Sequence, residues 1–303
     1  MATPAENLRG AALMMIAMGA YTINDALMKT ANEGLALYQS IFLRGLAATL
    51  LLGIFAWSQG AFSRPIPRRD RRWVALRVGA EMGGTVTFLT ALMQLPLASV
   101  TAVLQVTPLA VTLAAALAFR EPLGWRRFSA ILVAFGGVLV ILRPWGAGFD
   151  TAALWALVAV GFIVVRDLAT RRLSAEVPSL QVAFLTAGAI CVTGAGLLPL
   201  QAWEPVSRGD IALLLGAAIA ILCGYVASVA TMRVGEVAFV APFRYTAIVW
   251  GVVLGIVVLG ERPDAWTLIG AAIVVAMGLY AFFRERRLAR STFHPPGNPP
   301  RRV

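Results

Sequence analysis

The sequence predicts an all-α integral membrane protein: ten transmembrane helices built as two inverted five-helix repeats, with both termini in the cytoplasm. Three observations predict it. The 303 residues are 59% hydrophobic and only 14% charged, with a mean hydropathy of +0.78, and a water-soluble domain of that composition would expose very large apolar patches. The apolar residues fall in ten stretches. Polar positions of the second half repeat those of the first.

The stretches run at roughly 9–29, 37–58, 73–95, 98–119, 126–143, 150–170, 179–199, 209–231, 236–260 and 265–284. At about 1.5 Å per residue each approaches or exceeds the ~30 Å bilayer core. The first is long, lacks a strongly basic leader and carries Asn24 and Asp25 where a cleavage site would need small residues, so no cleaved signal peptide is expected. Leu95-Pro96-Leu97 alone separates the third from the fourth, predicting a tight antiparallel hairpin. Pro108 in the fourth and Pro242 in the ninth predict helix breaks that expose backbone polar groups. Cys191 and Cys223 lie in apolar runs and read as buried free thiols. Gly251-x-x-x-Gly255 and Gly136-Gly137 predict close helix contacts. The remaining loops are mostly short and leave no room for a soluble domain. The tail STFHPPGNPPRRV is proline-rich, predicts disorder and holds the only histidine, His294.

The net charge of +11 is almost entirely arginine; Lys29 is the one lysine. Its placement argues against a nucleic-acid partner, because the charges sit in short loops and at the C-terminus. One set of alternate segments holds Arg9, Arg64, Arg68, Arg69, Arg71, Arg72, Arg120, Arg126, Arg127, Arg171, Arg172, Arg233 and the arginines of the tail. The opposite set holds Lys29, Arg143, Arg208 and Arg262. That asymmetry places both termini in the cytoplasm.

The repeat is legible at polar positions. Laying Ala98 on Ala238 puts Val100 on Val240, Gln105 on Tyr245 and Glu121 on Glu261. Laying Asp25 on Asp167 puts Gln39 on Gln181, Phe42 on Phe184 and Leu43 on Leu185. The expected units are residues 1–143 and 144–290, with 291–303 a tail. Five helices per unit is odd, so the second unit enters the membrane inverted. Such inverted repeats build secondary transporters, with substrate held near the midplane where the repeats meet.

The halves close with REPLGWRRFSAILVAFGGVLVI and GERPDAWTLIGAAIVVAMGLY. This repeated ending on ten helices resembles the EamA branch of the drug/metabolite transporter superfamily, over about residues 9–285. The first half departs from the usual Gly-Glu by reading Arg120-Glu121. The opening YTINDALMKTANEGLALYQSIFLRG is similar to a subset that includes uptake carriers for S-adenosylmethionine and riboflavin. The resemblance implies a central cavity lined by the first, third, fourth, sixth, eighth and ninth helices, no ATP hydrolysis, and the bacterial inner membrane.

Ionisable groups within membrane helices are candidate functional residues. Glu81 and Arg244 each lie about eight residues into their helices from the same side, roughly 12 Å deep. They either pair or bind opposite ends of a zwitterion; a fixed ion pair orienting two helices is the structural alternative. Arg77, one turn before Glu81, is shallow enough to snorkel to the surface. Asp25 and Arg44 lie at equal depth on adjacent helices and suggest an ion pair, with Asn24 nearby and Lys29 four residues on. They read as a gate, a coupling carboxylate or a structural pin. Arg166 and Asp167 are the inverted counterpart. Gln105, Thr107, Arg244 and Tyr245, beside the two prolines, mark the expected substrate site, with Tyr225 and Trp250 as candidate aromatic walls. The sequence has no phosphate-binding P-loop, nucleophile elbow or metal-ligand spacing, so no cofactor, metal or catalytic residue is expected. The expectation is a carrier for a small organic metabolite, an amino-acid-like zwitterion or anion, or an amphipathic one, with coupling ion and oligomeric state open. An intramembrane enzyme or structural subunit is the competing class.

Overall fold

A computed structural model describes residues 3–63, 65–119, 124–144, 152–174, 176–234 and 236–291, without side chains at 232, 233, 237, 238 and 285–291. The described residues form helices and no strands. In order they are α1 (Pro4–Ala31), α2 (Leu37–Ser58), α3 (Arg71–Gln94), α4 (Leu97–Leu104), α5 (Thr107–Phe119), α6 (Trp125–Leu142), α7 (Ala152–Arg171), α8 (Ser179–Leu197), α9 (Arg208–Val234), α10 (Val237–Val240), α11 (Thr246–Val257) and α12 (Ala265–Ser291). Among them, eight spans are long and apolar enough to cross a membrane, α4 and α5 together counting as one. The ninth stretch contributes the shorter apolar helix Ala241–Val257. The third stretch forms the 24-residue α3, which carries Arg71, Arg72, Arg77 and Glu81 and is not among the eight.

Local chemistry sets the helix ends. At α1 the Thr3 hydroxyl accepts the Glu6 amide while Glu6 accepts the Thr3 amide, and Pro4 needs no partner for an N–H it lacks. The expected hairpin is present: α3 stops at Gln94 and α4 starts at Leu97. Arg143 closes α6 with a left-handed φ of 47°. Arg64, Arg120, Glu121 and the tail from 292 onward, His294 included, lie outside the described residues.

The main helix pairs each join one helix before residue 143 to one after 150: α1 with α9, α3 with α7, α2 with α8, and α6 with α12. Small residues permit two of these crossings. A Cβ on Gly194 would stand 2.5 Å from the Phe42 amide nitrogen, and one on Gly45 2.8 Å from the Cys191 Cα. Likewise a Cβ on Gly137 would lie 3.0 Å from the Gly270 carbonyl and one on Gly270 2.6 Å from the Gly137 carbonyl. The helices therefore touch backbone to backbone, and any side chain would push them apart. The predicted role holds for Gly137 and for Gly251, which faces Thr101, but Gly136 has open space around it. Cys223 is also corrected: it is exposed on α9, while Cys191 is half-buried, and both are free.

Outside the spans, Asp70 ties the start of α3 to the end of α7. Its carboxylate accepts the Ser174 hydroxyl at 2.7 Å and the Ser174 amide at 3.1 Å. The Ser174 hydroxyl holds this carboxyl below its ordinary value, with the Ser174 amide and Arg69 assisting against partial desolvation. A depressed folded-state value gives stability that is present above about pH 4 and lost as pH falls through it. Melting curves in detergent are expected to show Asp70→Asn less stable than wild type near neutral pH, with the gap closing below about pH 4. A gap independent of pH would leave the carboxylate without this role.

Candidate functional site

Both broken helices restart on a threonine. After α4 the backbone tightens to a turn at Gln105 and Val106, whose amides donate to the Ala102 and Val103 carbonyls, and α5 begins at Thr107, whose hydroxyl donates to the Leu104 carbonyl at 2.5 Å. After α10 a 3-10 turn runs over Ala241–Tyr245, and α11 begins at Thr246, whose hydroxyl donates to the Phe243 carbonyl at 2.6 Å. Matching these threonines sets Gln105 opposite Arg244, one residue from the sequence alignment that put it on Tyr245. The two breaks touch: the Gln105 amide donates to the Arg244 carbonyl at 2.7 Å. The prolines follow the break rather than make it. Pro108 is the second residue of α5 and Pro242 the second of the 3-10 turn, positions where a missing N–H costs nothing.

The ionisable residues fall into separate groups, with partners different from those expected. Glu81 pairs with Arg166 at 3.3 Å, not with Arg244, and Arg166 also donates from Nε to Asp167 at 2.8 Å. Arg77 does not snorkel outward; it donates to Thr170 of α7 and Thr186 of α8. Asp25 and Arg44 are not a direct ion pair. Buried Arg44 donates to the Asn24 carbonyl oxygen at 3.2 Å, and the Asn24 amide donates to Asp25 at 2.9 Å. Asn24 thus stands between them, its side-chain oxygen facing the Arg44 guanidinium and its amide facing the Asp25 carboxylate. Lys29 is not spent on Asp25 either. Its ammonium lies 2.6 Å from both Glu261 Oε1 and the Leu95 carbonyl, and Glu261 Oε2 accepts the Leu97 amide at 2.7 Å. This clasp fastens the end of α1 and the α3–α4 hairpin to the end of α11.

Arg244 differs from the other arginines within the spans. Its guanidinium has no hydrogen bond or ion pair among the described residues, although it lies within electrostatic range of Tyr21, as do Glu81 and Arg166. Tyr21 also lies against α9, at Gly224 and beside Ser228. Sequence reasoning missed Tyr21, and its spacing of one helical turn before Asp25 is the signal that would have found it. The other aromatics named from the sequence lie in three different places. Trp250 lies across Gly19 of α1 and donates to the Met15 carbonyl at 3.2 Å. Tyr245 lies against Gly278 of α12. Tyr225 is in range of Arg77 and lines a cavity of 640 Å³ shared with Phe55 and Gln59 of α2, Ser179 of α8 and Val229 of α9.

The amino-acid sequence matches the model of the EamA-like transporter family over residues 8–143 and 150–283. The chain belongs to the EamA-like transporter family. It is 31% identical to a riboflavin transporter of Vibrio cholerae over 67% of this chain and 68% of that one. It is 26% identical to the pseudopaline exporter CntI of Pseudomonas aeruginosa, over 88% of this chain and 93% of that one. An S-adenosylmethionine uptake transporter of Rickettsia prowazekii is 23% identical, over 92% of this chain and 94% of its own. A solved crystal structure matches the fold with a TM-score of 0.60 at 18% identity, over 91% of this chain and 98% of that one. These relatives are membrane transporters, not enzymes. Glu81, Arg166 and Asp167 retain 23% to 29% side-chain exposure.

Proposed function

We propose that this EamA-like chain is a secondary active carrier that moves a small zwitterionic or anionic organic metabolite by alternating access. The observation that carries this reading is Arg244, a guanidinium within the ninth span whose side chain has no partner among the described residues and which sits beside Tyr21 and the Gln105 contact between the broken helices. A half-buried arginine without a side-chain partner among the described residues is suited to a ligand carboxylate, which it grips through two N–H bonds. Asp25, one turn from Tyr21 and bonded among the described residues to Asn24, would receive an ammonium group or a coupling proton. The pairing of helices across residues 143 and 150 fits two units rocking against each other, and the arginine distribution favours both termini in the cytoplasm of a bacterial inner membrane.

The amphipathic alternative is supported by the relatives that carry riboflavin and S-adenosylmethionine. The two differ at this site: S-adenosylmethionine has an amino-acid group and riboflavin has none. Flux into liposomes containing only this protein decides. Counterflow of a labelled amino acid or S-adenosylmethionine, competed by other zwitterions, is the expected result. Saturable flux of riboflavin alone would overturn the zwitterion assignment, and consumption without flux would overturn transport.

A further inference from the structure

Two helix ends carry arginines layered on two aromatic rings, one of which stands at a third helix end. Arg72, in the first turn of α3, stands 5.1 Å from the ring of its neighbour Trp73, and Arg172, just after α7, stands 5.6 Å from the same ring. Arg172 also lies 4.4 Å over Phe119 at the end of α5, with Arg171 5.7 Å from that ring. Stacking occupies the face of a guanidinium and leaves its N–H edge directed outward. Arg72 and Arg172 are exposed and form no ion pair with a carboxylate among the described residues. The acids nearest in sequence are engaged elsewhere: Asp70 by Ser174, and Glu176 by Arg69 at 2.8 Å. Arg72 and Arg172, both against the Trp73 ring, are like charges that an anion between them would relieve.

Directly along the same helices the surface turns apolar. Leu76, one turn after Arg72, is 45% exposed, and Leu117, two residues before Phe119, is 74% exposed. A phosphate at the arginines would thus have an apolar chain path beneath it, which a free anion does not need.

We propose that Arg72 and Arg172, braced on Trp73 and Phe119, bind the phosphodiester of one anionic phospholipid, whose acyl chains lie along Leu76 and Leu117. The basis is independent of the transport reading, since no residue of the Arg244 site takes part. Each arginine near a membrane surface contributes about 1 kcal/mol toward an anionic headgroup, so losing two weakens binding about thirtyfold.

Native mass spectrometry of the full, delipidated chain tests this, titrating dimyristoyl phosphatidylglycerol, dimyristoyl phosphatidylcholine and inorganic phosphate separately. Wild type and Arg208→Gln, altered at the opposite end, are expected to retain one tightly bound phosphatidylglycerol. Arg72→Gln/Arg172→Gln is expected to bind it about thirtyfold more weakly, and phosphatidylcholine is expected to bind all three proteins alike and weakly. Unchanged binding in the double variant, equal affinity for phosphatidylcholine, or displacement by millimolar phosphate would each overturn the proposal. If the double variant is not monodisperse, Arg172→Gln alone decides, with about a fivefold weakening required.

Discussion

An Arg244→Ala carrier is expected to fold normally and to lose about two orders of magnitude in substrate affinity. A charge-assisted, two-pronged bond from guanidinium to carboxylate is worth about 3 kcal/mol in a partly desolvated site, close to a hundredfold in binding. The ligand-free protein gives up little, because among the described residues the side chain joins no hydrogen bond or ion pair, and the backbone carbonyl that receives Gln105 survives the substitution. The measurement is a melting-temperature series against zwitterionic, anionic and cationic metabolites, run beside liposome uptake. Ligand-dependent stabilisation in wild type that is absent in Arg244→Ala supports the site. A mutant that melts well below wild type without ligand, yet still responds to it, would make Arg244 structural. Attention would then move to Asp25 and Arg44.

The second large effect is expected at the clasp. Lys29 and Glu261 are each 16% exposed, so Lys29→Met strands a carboxylate in a place water reaches poorly, with the Leu97 amide as its remaining described partner. We expect a loss of about 2–3 kcal/mol, somewhat below that for a fully buried pair because some water enters. Glu261→Met loses a similar amount and also frees the Leu97 amide. The double variant is expected to recover about 2 kcal/mol of the summed losses in a double-mutant cycle measured by denaturation in detergent. Strict additivity would mean that the clasp contributes no coupling. Because these bonds join α1, the α3–α4 hairpin and the end of α11, the proposed alternating access would part them on opening at that end, and the variants are expected to change the transport rate.

The spans were legible because a bilayer demands long apolar helices, and the Leu95-Pro96-Leu97 hairpin because proline punctuates. The breaks at Gln105–Val106 and Ala241–Tyr245 were legible to within a few residues. Partner choice was not. Spacing along one helix nominated Asp25 for Lys29, but such a neighbour is worth only a few tenths of a kcal/mol. The flexible lysine stem instead reaches a carboxylate 232 positions away that shares the end of the bundle. Equal depth nominated Arg244 for Glu81, but depth says nothing about azimuth, and α3 packs on α7, which brings Arg166 to Glu81. Tyr21 hid because an aromatic in an apolar run looks like core until α9 supplies Ser228.

The helix pairings also bear on how the protein is made. A ribosome delivers α1 to α6 before α7, α8, α9 and α12, the partners of α3, α2, α1 and α6, exist. The α2 face at Gly45 then has no Cys191 backbone to meet, and Glu81 has no Arg166. At about 5–20 residues per second the wait lasts on the order of ten seconds. The nascent first half must therefore sit in the bilayer as a loosely held set of helices, its acidic group sheltered by water, lipid headgroups or an insertion factor. Assembly becomes a late, concerted event that begins as α7 and α8 arrive, and a fragment ending near residue 143 would be a substrate for membrane quality control rather than a stable half-carrier.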